Sequence, residues 1–372
     1  MDTANPKSNG YGVLRFIFAM SVVYSHSFAL SGSKDVDLVQ RITGLSSSHF
    51  GVIGFFILSG YLNAQSLARG SATRWTSVSF LVRRSFRIFP LLWSILLVTV
   101  VAYVVSAAAG HLDSLASNRD APHGKVVWNA LKTALRFSRG NAIPFSPHYS
   151  LPGVFAENPN RAICGSLWTL PHEMLFYLVL SISPFFRHMT KPVIWSLMLF
   201  AAILSIIATT ASSVAPPVFS GFQTYWIGTL GFAFLVGVVL SHMPMRMWIT
   251  LTSAGILVIY FKFRLLTYGP VARALEILCV GIIVIHAGSV SLGRLSRFSE
   301  KWDPSYGIYL LSFPIQQIIV AHGFRSPMAL LAMSSAIAIV CACLTWVFIE
   351  RPMLRIGRNW TLRRQGTAIT FQ

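Results

Sequence analysis

Residues 88–108 read IFPLLWSILLVTVVAYVVSAA, and no charged side chain interrupts those 21 positions. Wound as an α-helix at 1.5 Å per residue, the run is about 31 Å long, which matches the hydrocarbon thickness of a bilayer. Stretches of similar character recur at 12–31, 50–66, 165–183, 193–210, 222–241, 247–263, 271–288, 305–324 and 327–348, so the chain holds ten candidate spans. Composition agrees: 54% of the residues are hydrophobic and 11% charged, against about 25% charged in soluble domains. The expected fold class is an all-α membrane protein, with about ten transmembrane helices in one bundle. That membrane domain occupies residues 1–352, and a short basic cytoplasmic tail follows at 353–372.

The net charge of +19 would suggest nucleic acid in a soluble chain. Here the basic residues sit in short strips between apolar runs, where positive charge sets topology, and no nucleic-acid partner is expected. An even number of spans puts both termini on one side. Counted loop by loop, that side carries seventeen Lys and Arg and the opposite side eleven, which favours cytoplasmic termini. The first span is interrupted by Arg15 and His26 and lacks a clean cleavage site, so it reads as an uncleaved helix rather than a signal peptide. The connection 109–164 is far longer than its neighbours and is expected to be extracytoplasmic. Within it, Val126, Val127, Ala130, Leu131, Ala134, Leu135 and Phe137 recur at helical spacing, consistent with a helix on the membrane face or with a plain surface helix. Cys164, Cys279, Cys341 and Cys343 show no paired framework, so neither a disulfide nor a metal site is expected.

Ionisable groups inside a bilayer cost several kcal/mol and usually face a polar cavity. The short list is Arg15 and His26, His172 and Glu173, and Arg273, Glu276 and His286. Eleven residues make three turns plus about 20°, so Arg15 and His26 share one helix face about 16 Å apart. A neutral imidazole at His26 can take a proton from a hydroxyl. A snorkelling Arg15 with His26 bonded to a backbone carbonyl fits the same spacing. Glu173 is expected near the depth of His26, where a carboxylate would orient the ring; pairing with an arginine to hold helices together is the alternative. Before the third span, Arg83, Arg84 and Arg87 form a basic strip, and Arg84 and Arg87, three apart, can grip phosphate oxygens together or simply set topology. There is no Walker loop, no GxGxxG after a strand, no GxSxG around Ser59 and no HExxH, so nucleotide-driven, nicotinamide and serine-hydrolase chemistries lack their parts.

Six motifs in order resemble one family. They are Leu14-Arg15 followed by ten residues and His26; Gly54 to Leu62, GFFILSGYL; and Arg87-Ile88-Phe89-Pro90. Then come Leu167-Trp168-Thr169-Leu170 with Glu173 and Tyr177, Ser305 to Leu311, SYGIYLL, and Phe348-Ile349-Glu350-Arg351-Pro352. From about residue 10 to 355 the chain resembles the acyltransferase-3 family of integral membrane O-acyltransferases, in its polysaccharide O-acetyltransferase type. The resemblance implies a ten-helix bundle in the bacterial cytoplasmic (inner) membrane that moves acyl groups, most often acetyl, from cytoplasmic acyl-coenzyme A to glycan or glycolipid hydroxyls such as those of an exopolysaccharide. Acetyl-CoA is then a donor substrate and no cofactor is permanently bound. Carried over by position, His26 is the catalytic histidine with Arg15 its motif partner, Arg84 and Arg87 hold the coenzyme beside Arg83, and Glu173 is the acidic residue after the tryptophan. The family often has a histidine where this chain has Ser312, and His172 is not part of the pattern. Many relatives carry an added hydrolase-like domain, whereas this sequence is expected to be the stand-alone form. A direct transfer or a covalent acyl-histidine is compatible with these residues. From another class, an exporter of an anionic sugar or lipid would also use buried charges, but paired Gly/Pro-broken spans and inverted-repeat halves are not evident.

The topology has a direct test. A cysteine introduced by His26→Cys should react poorly with bulky aqueous thiol reagents, while Ser33→Cys reacts readily from outside the cell; equal labelling at both contradicts the assignment.

Overall fold

The computed structural model describes residues 9–68, 74–109, 128, 150–182, 218–219, 222–263 and 269–369. Before the long connection come α1 (Tyr11–Ser31), α2 (Leu38–Thr43), α3 (Ser47–Ala68) and α4 (Arg74–Ala108). After it come α5 (Leu170–Ser181), α6 (Thr224–Leu240), α7 (Met247–Phe263), α8 (Pro270–Ser289), α9 (Arg294–Lys301), α10 (Ser305–Ala321), α11 (Pro327–Thr345) and α12 (Arg351–Ile369). Among the described residues the one departure from helix and coil is a two-residue antiparallel ladder, β1 (Val218–Phe219) on β2 (Phe222–Gln223).

Among the described residues five segments are long and apolar enough to cross a membrane: Tyr11–Ser31, Ser47–Ala68, Ser77–Ala108, Val271–Ser289 and Pro327–Leu362. Tyr225–Leu240, Met247–Phe263 and Ser305–Ala321 are shorter apolar helices. The chain is thus a helical integral membrane protein. The expected span at 193–210 and most of the 109–164 connection lie outside the described residues. Apolar side chains face outward along α4, where Trp93, Leu97, Val98, Val101 and Val105 are all exposed. Such a stripe suits lipid and would be a liability in water.

Two elements differ from the sequence reading. The stretch 165–183 is not one straight helix: Gly165–Thr169 forms a 3-10 turn before α5. Pro171 explains the change, since it has no N–H to continue an α-helical ladder and is at home in a first helical turn. The tail after Pro352, expected as a short basic end with no element assigned to it, is helical: the helix runs on as α12 and packs against α4, with Gly357 lying against the Phe86 side chain. A π-helical turn, Trp346–Glu350, precedes it, and the Arg351 amide reaches back to the Trp346 carbonyl. The wider turn makes room for the Pro352 ring, which in a regular α-helix would press on the carbonyl of residue 348.

α3 is the centre of the bundle, packed between α1 and α6 with α8 alongside. Glycines allow it. A Cβ on Gly60 would lie 1.9 Å from the Phe234 carbonyl oxygen, and one on Gly237 would lie 2.0 Å from that of Ile57, so α3 and α6 meet backbone to backbone. On the opposite side Gly51 and Gly54 admit the Phe18 backbone and ring of α1. In lipid, close packing of this kind replaces the hydrophobic effect as the force that joins helices.

Gly60→Ala is therefore expected to separate α3 from α6 and to lower the yield and melting temperature of detergent-solubilised protein sharply. Gly255→Ala on α7, where a Cβ meets nothing within 4 Å, should leave both unchanged or raise stability by up to about 1 kcal/mol.

Candidate active site

Two chambers lie side by side within the bundle. The one called inner, on the side the sequence reading expects to be cytoplasmic, is about 110 Å³ and is lined by Arg15 of α1, Ser59 of α3, Arg84 and Arg87 of α4, and Glu173 and Tyr177 of α5. The outer one, about 90 Å³, is lined by His26 of α1, His49 of α3, Ser166, Trp168, Trp226 and Tyr309. Val52 and Tyr309 line both and form the wall where they meet. The Tyr309 hydroxyl is 2.8 Å from Thr169 Oγ1, which ties this wall to the start of α5. The shared helix face predicted for Arg15 and His26 thus runs from one chamber to the other.

The inner chamber is governed by charge. Asp303 Oδ2 accepts from Arg87 Nη2 at 2.7 Å and lies 3.2 Å from Arg15 Nη1. Ser305 Oγ donates to the other carboxylate oxygen at 2.5 Å. Burial alone would raise the Asp303 carboxyl, but the Arg15 and Arg87 guanidiniums and the Ser305 hydroxyl outweigh it and hold the group well below the ordinary carboxylate range. The predicted pair Arg84 and Arg87 does share one chamber, but the two arginines differ. Arg87 is committed to Asp303 and also lies over the Trp346 ring, 5.7 Å from its centroid. Arg84 has no ion pair among the described residues; its guanidinium rests on the rings of Phe80 and Tyr177, at 5.7 and 5.6 Å. Among the described residues Arg84 is thus a chamber-lining guanidinium without a carboxylate partner. Arg83 is not among the residues lining the chamber.

Glu173 accepts from the Tyr177 hydroxyl, with Ser59 Oγ 3.5 Å away and 2.8 Å from Tyr177 Oη. Asn63 Nδ2 donates to Ser59 Oγ at 3.2 Å, extending the network along α3. No hydrogen bond among the described residues joins Glu173 to His26. The expected carboxylate support of the imidazole is therefore absent from this arrangement, because one turn of 3-10 helix and α5 deliver Glu173 to the inner chamber. His172, one residue earlier, turns Nδ1 to the Trp168 carbonyl at 3.0 Å.

In the outer chamber, His26 stands edge-on to Phe313, 5.2 Å between centroids, and its Nδ1 is buried without a hydrogen-bond partner. Ser312, which follows the SYGIYLL motif, is buried with an unpartnered hydroxyl. An imidazole that no described protein group hydrogen-bonds, lining a small chamber, is equipped to bond a ligand hydroxyl.

A family described as an acyltransferase domain matches residues 9–349, nearly the whole chain and all of the residues above. The chain belongs to the acyltransferase-3 family. It is an acyltransferase, and the name of one relative agrees. It is 25% identical over 362 residues to the O-acetyl transferase of Shigella phage Sf6, covering 94% of this chain and 96% of that protein. It is also 25% identical over 398 residues to nodulation protein 10 of Rhizobium leguminosarum bv. viciae, covering 97% of each. No solved structure matches the chain.

Within this acyltransferase, the residue that sequence reasoning passed over is Asp303. Its signal was scarcity: with 11 acidic residues against 30 basic ones, an aspartate two residues before the SYGIYLL motif is a candidate counter-charge for whichever arginines enter the bundle.

Asp303→Asn should destabilise the protein by about 3 kcal/mol, because two guanidiniums are left facing each other in a partly desolvated site. The folded carboxyl titrates below the unfolded one, so its stabilisation is complete above about pH 4 and is lost as the pH falls through the lowered value. Melting of the two proteins should accordingly differ by a constant amount between pH 5 and 8 and converge in stronger acid.

Proposed function

We propose that this acyltransferase moves an acetyl group from cytoplasmic acetyl-CoA to a sugar hydroxyl of a surface or exported glycan, in the inner membrane of a bacterium with both termini cytoplasmic. The observation that carries the reading is the pair of chambers meeting at Val52 and Tyr309, with guanidiniums in one and His26 in the other. The printed name of the phage relative, an O-acetyl transferase, favours acetyl and an oxygen acceptor.

The donor's phosphates bind at Arg84, with Arg87 and Arg15 adding positive field while Asp303 holds those two side by side. Arg83 contributes from outside the chamber. Glu173, through Tyr177 and Ser59, holds the ring on which Arg84 rests. The thioester arm reaches the wall at Tyr309, and the glycan enters the outer chamber from the side of the 109–164 connection.

His26 removes the proton from the acceptor hydroxyl, and the oxygen attacks the thioester carbonyl carbon. A C–O bond forms, the C–S bond breaks, and the departing thiolate takes the proton from the imidazolium, so His26 ends as it began. Access of each substrate from its own side lets the acetyl group cross the bilayer by chemistry alone.

Surface glycan from cells lacking the protein, complemented with wild type or with His26→Ala, is the test. Wild type should restore an O-acetyl signal in mass and proton NMR spectra, and the variant, at equal membrane level, should lower it at least about 100-fold. Full restoration by the variant removes His26 from the chemistry, and a glycan unchanged by loss of the protein removes the acceptor class.

A further inference from the structure

The outer chamber holds a second histidine whose surroundings differ from those of His26. His49 Nε2 lies 2.8 Å from Glu276 Oε1, and Arg273 Nη1 donates to the other oxygen, Glu276 Oε2, at 2.6 Å. Glu276 is completely buried, and the three groups join α3 to α8. The Arg273 guanidinium also approaches His49 Nε2, at 3.3 Å. Two contacts to one nitrogen cannot both be hydrogen bonds of the same sense. The shorter contact decides: a ring nitrogen 2.8 Å from a carboxylate oxygen carries a proton and donates it, since two acceptors at that distance repel. In the neutral ring, a proton fixed on Nε2 leaves the lone pair on Nδ1, the nitrogen available to a ligand in the chamber.

What else lines this space suits a polyhydroxylated ligand. Ser46 and Ser48 present hydroxyls 2.9 Å apart at the same lip. Trp168 and Trp226, 4.8 Å between ring centroids, supply apolar faces for the C–H faces of a sugar ring.

Resting on the reading of the outer chamber as the acceptor site, we propose that His49 is a specificity-determining residue of the transfer. Its Nδ1 accepts a hydrogen bond from one sugar hydroxyl and so selects which neighbouring hydroxyl reaches His26. Glu276 and Arg273 are positioning residues that set the tautomer and the ring orientation, in the way an outer-shell carboxylate orients a metal-bound or catalytic histidine. The two histidines then divide the work: the one tied to a buried carboxylate binds, and the one without a protein partner moves the proton.

His49→Gln separates this role from that of a helix clip, because glutamine keeps an N–H for Glu276 but places no acceptor at the Nδ1 position. The experiment uses the full-length protein in lipid nanodiscs, acetyl-CoA as donor, and surface glycan from the producing cells stripped of acyl groups with mild alkali. The expected result is a rise of about tenfold in KM for the glycan, with KM for acetyl-CoA within about twofold of wild type. Glu276→Gln should move the glycan KM in the same direction by less. An unchanged glycan KM in His49→Gln overturns the proposal and leaves the trio as a clip between α3 and α8. A rise confined to the acetyl-CoA KM overturns it too, since the chamber then serves the donor. Wild-type protein that transfers nothing to the glycan overturns the proposed function itself.

Discussion

Everything in this bundle hangs on how closely α3 approaches its neighbours. At Gly60 and Gly237 two helices touch backbone to backbone, and at Gly51 and Gly54 the same helix takes in the α1 surface around Phe18. α3 contributes His49 to the outer chamber, Val52 to the shared wall and Ser59 and Asn63 to the inner network. Any side chain larger than hydrogen at those glycines would push α3 outward and pull the two chambers apart. In lipid there is no hydrophobic gain to compensate, because a helix leaving the bundle meets surroundings as apolar as those it left.

The second constraint is electrostatic. A chain with 30 basic and 11 acidic residues cannot neutralise its arginines wholesale, and it places two carboxylates where charge enters the bundle. Asp303 takes Arg15 and Arg87, and Glu276 takes Arg273. Arg84, cushioned on two aromatic rings instead, is the exception. A guanidinium held by ring faces keeps its N–H groups for a ligand, whereas one held by a carboxylate has already spent them. The same contrast separates the two histidines of the outer chamber.

Much of this was legible in order along the chain. The long apolar runs announced helices in a membrane because lipid admits no unpaired backbone. The eleven-residue step from Arg15 to His26 put both on one face because helix geometry is periodic. Arg84 stood out in a basic strip and Glu173 and Tyr177 in one motif, but nothing in the sequence joined them to Ser59. Asp303 and the partnership of His49 with Glu276 were not legible, for their partners lie more than two hundred residues away along the chain. The expected tie between Glu173 and His26 failed for a related reason. Depth in the membrane can be estimated from a sequence, but the direction a side chain faces depends on the turn that precedes its helix, here the 3-10 turn ahead of Pro171.

The amino-acid sequence by itself determined that the chain lives in a membrane, which residues carry charge into it, and the family-wide set of chemical groups. Those are local properties, readable from composition, spacing and motif. Tertiary structure alone decided which arginine meets a carboxylate and which rests on ring faces, that the cavity is two chambers rather than one cleft, and that among the described residues no carboxylate bonds His26 while Glu276 bonds His49. Each of those outcomes depends on helices far apart in sequence being brought within hydrogen-bond range, and only the close packing around α3 sets those distances.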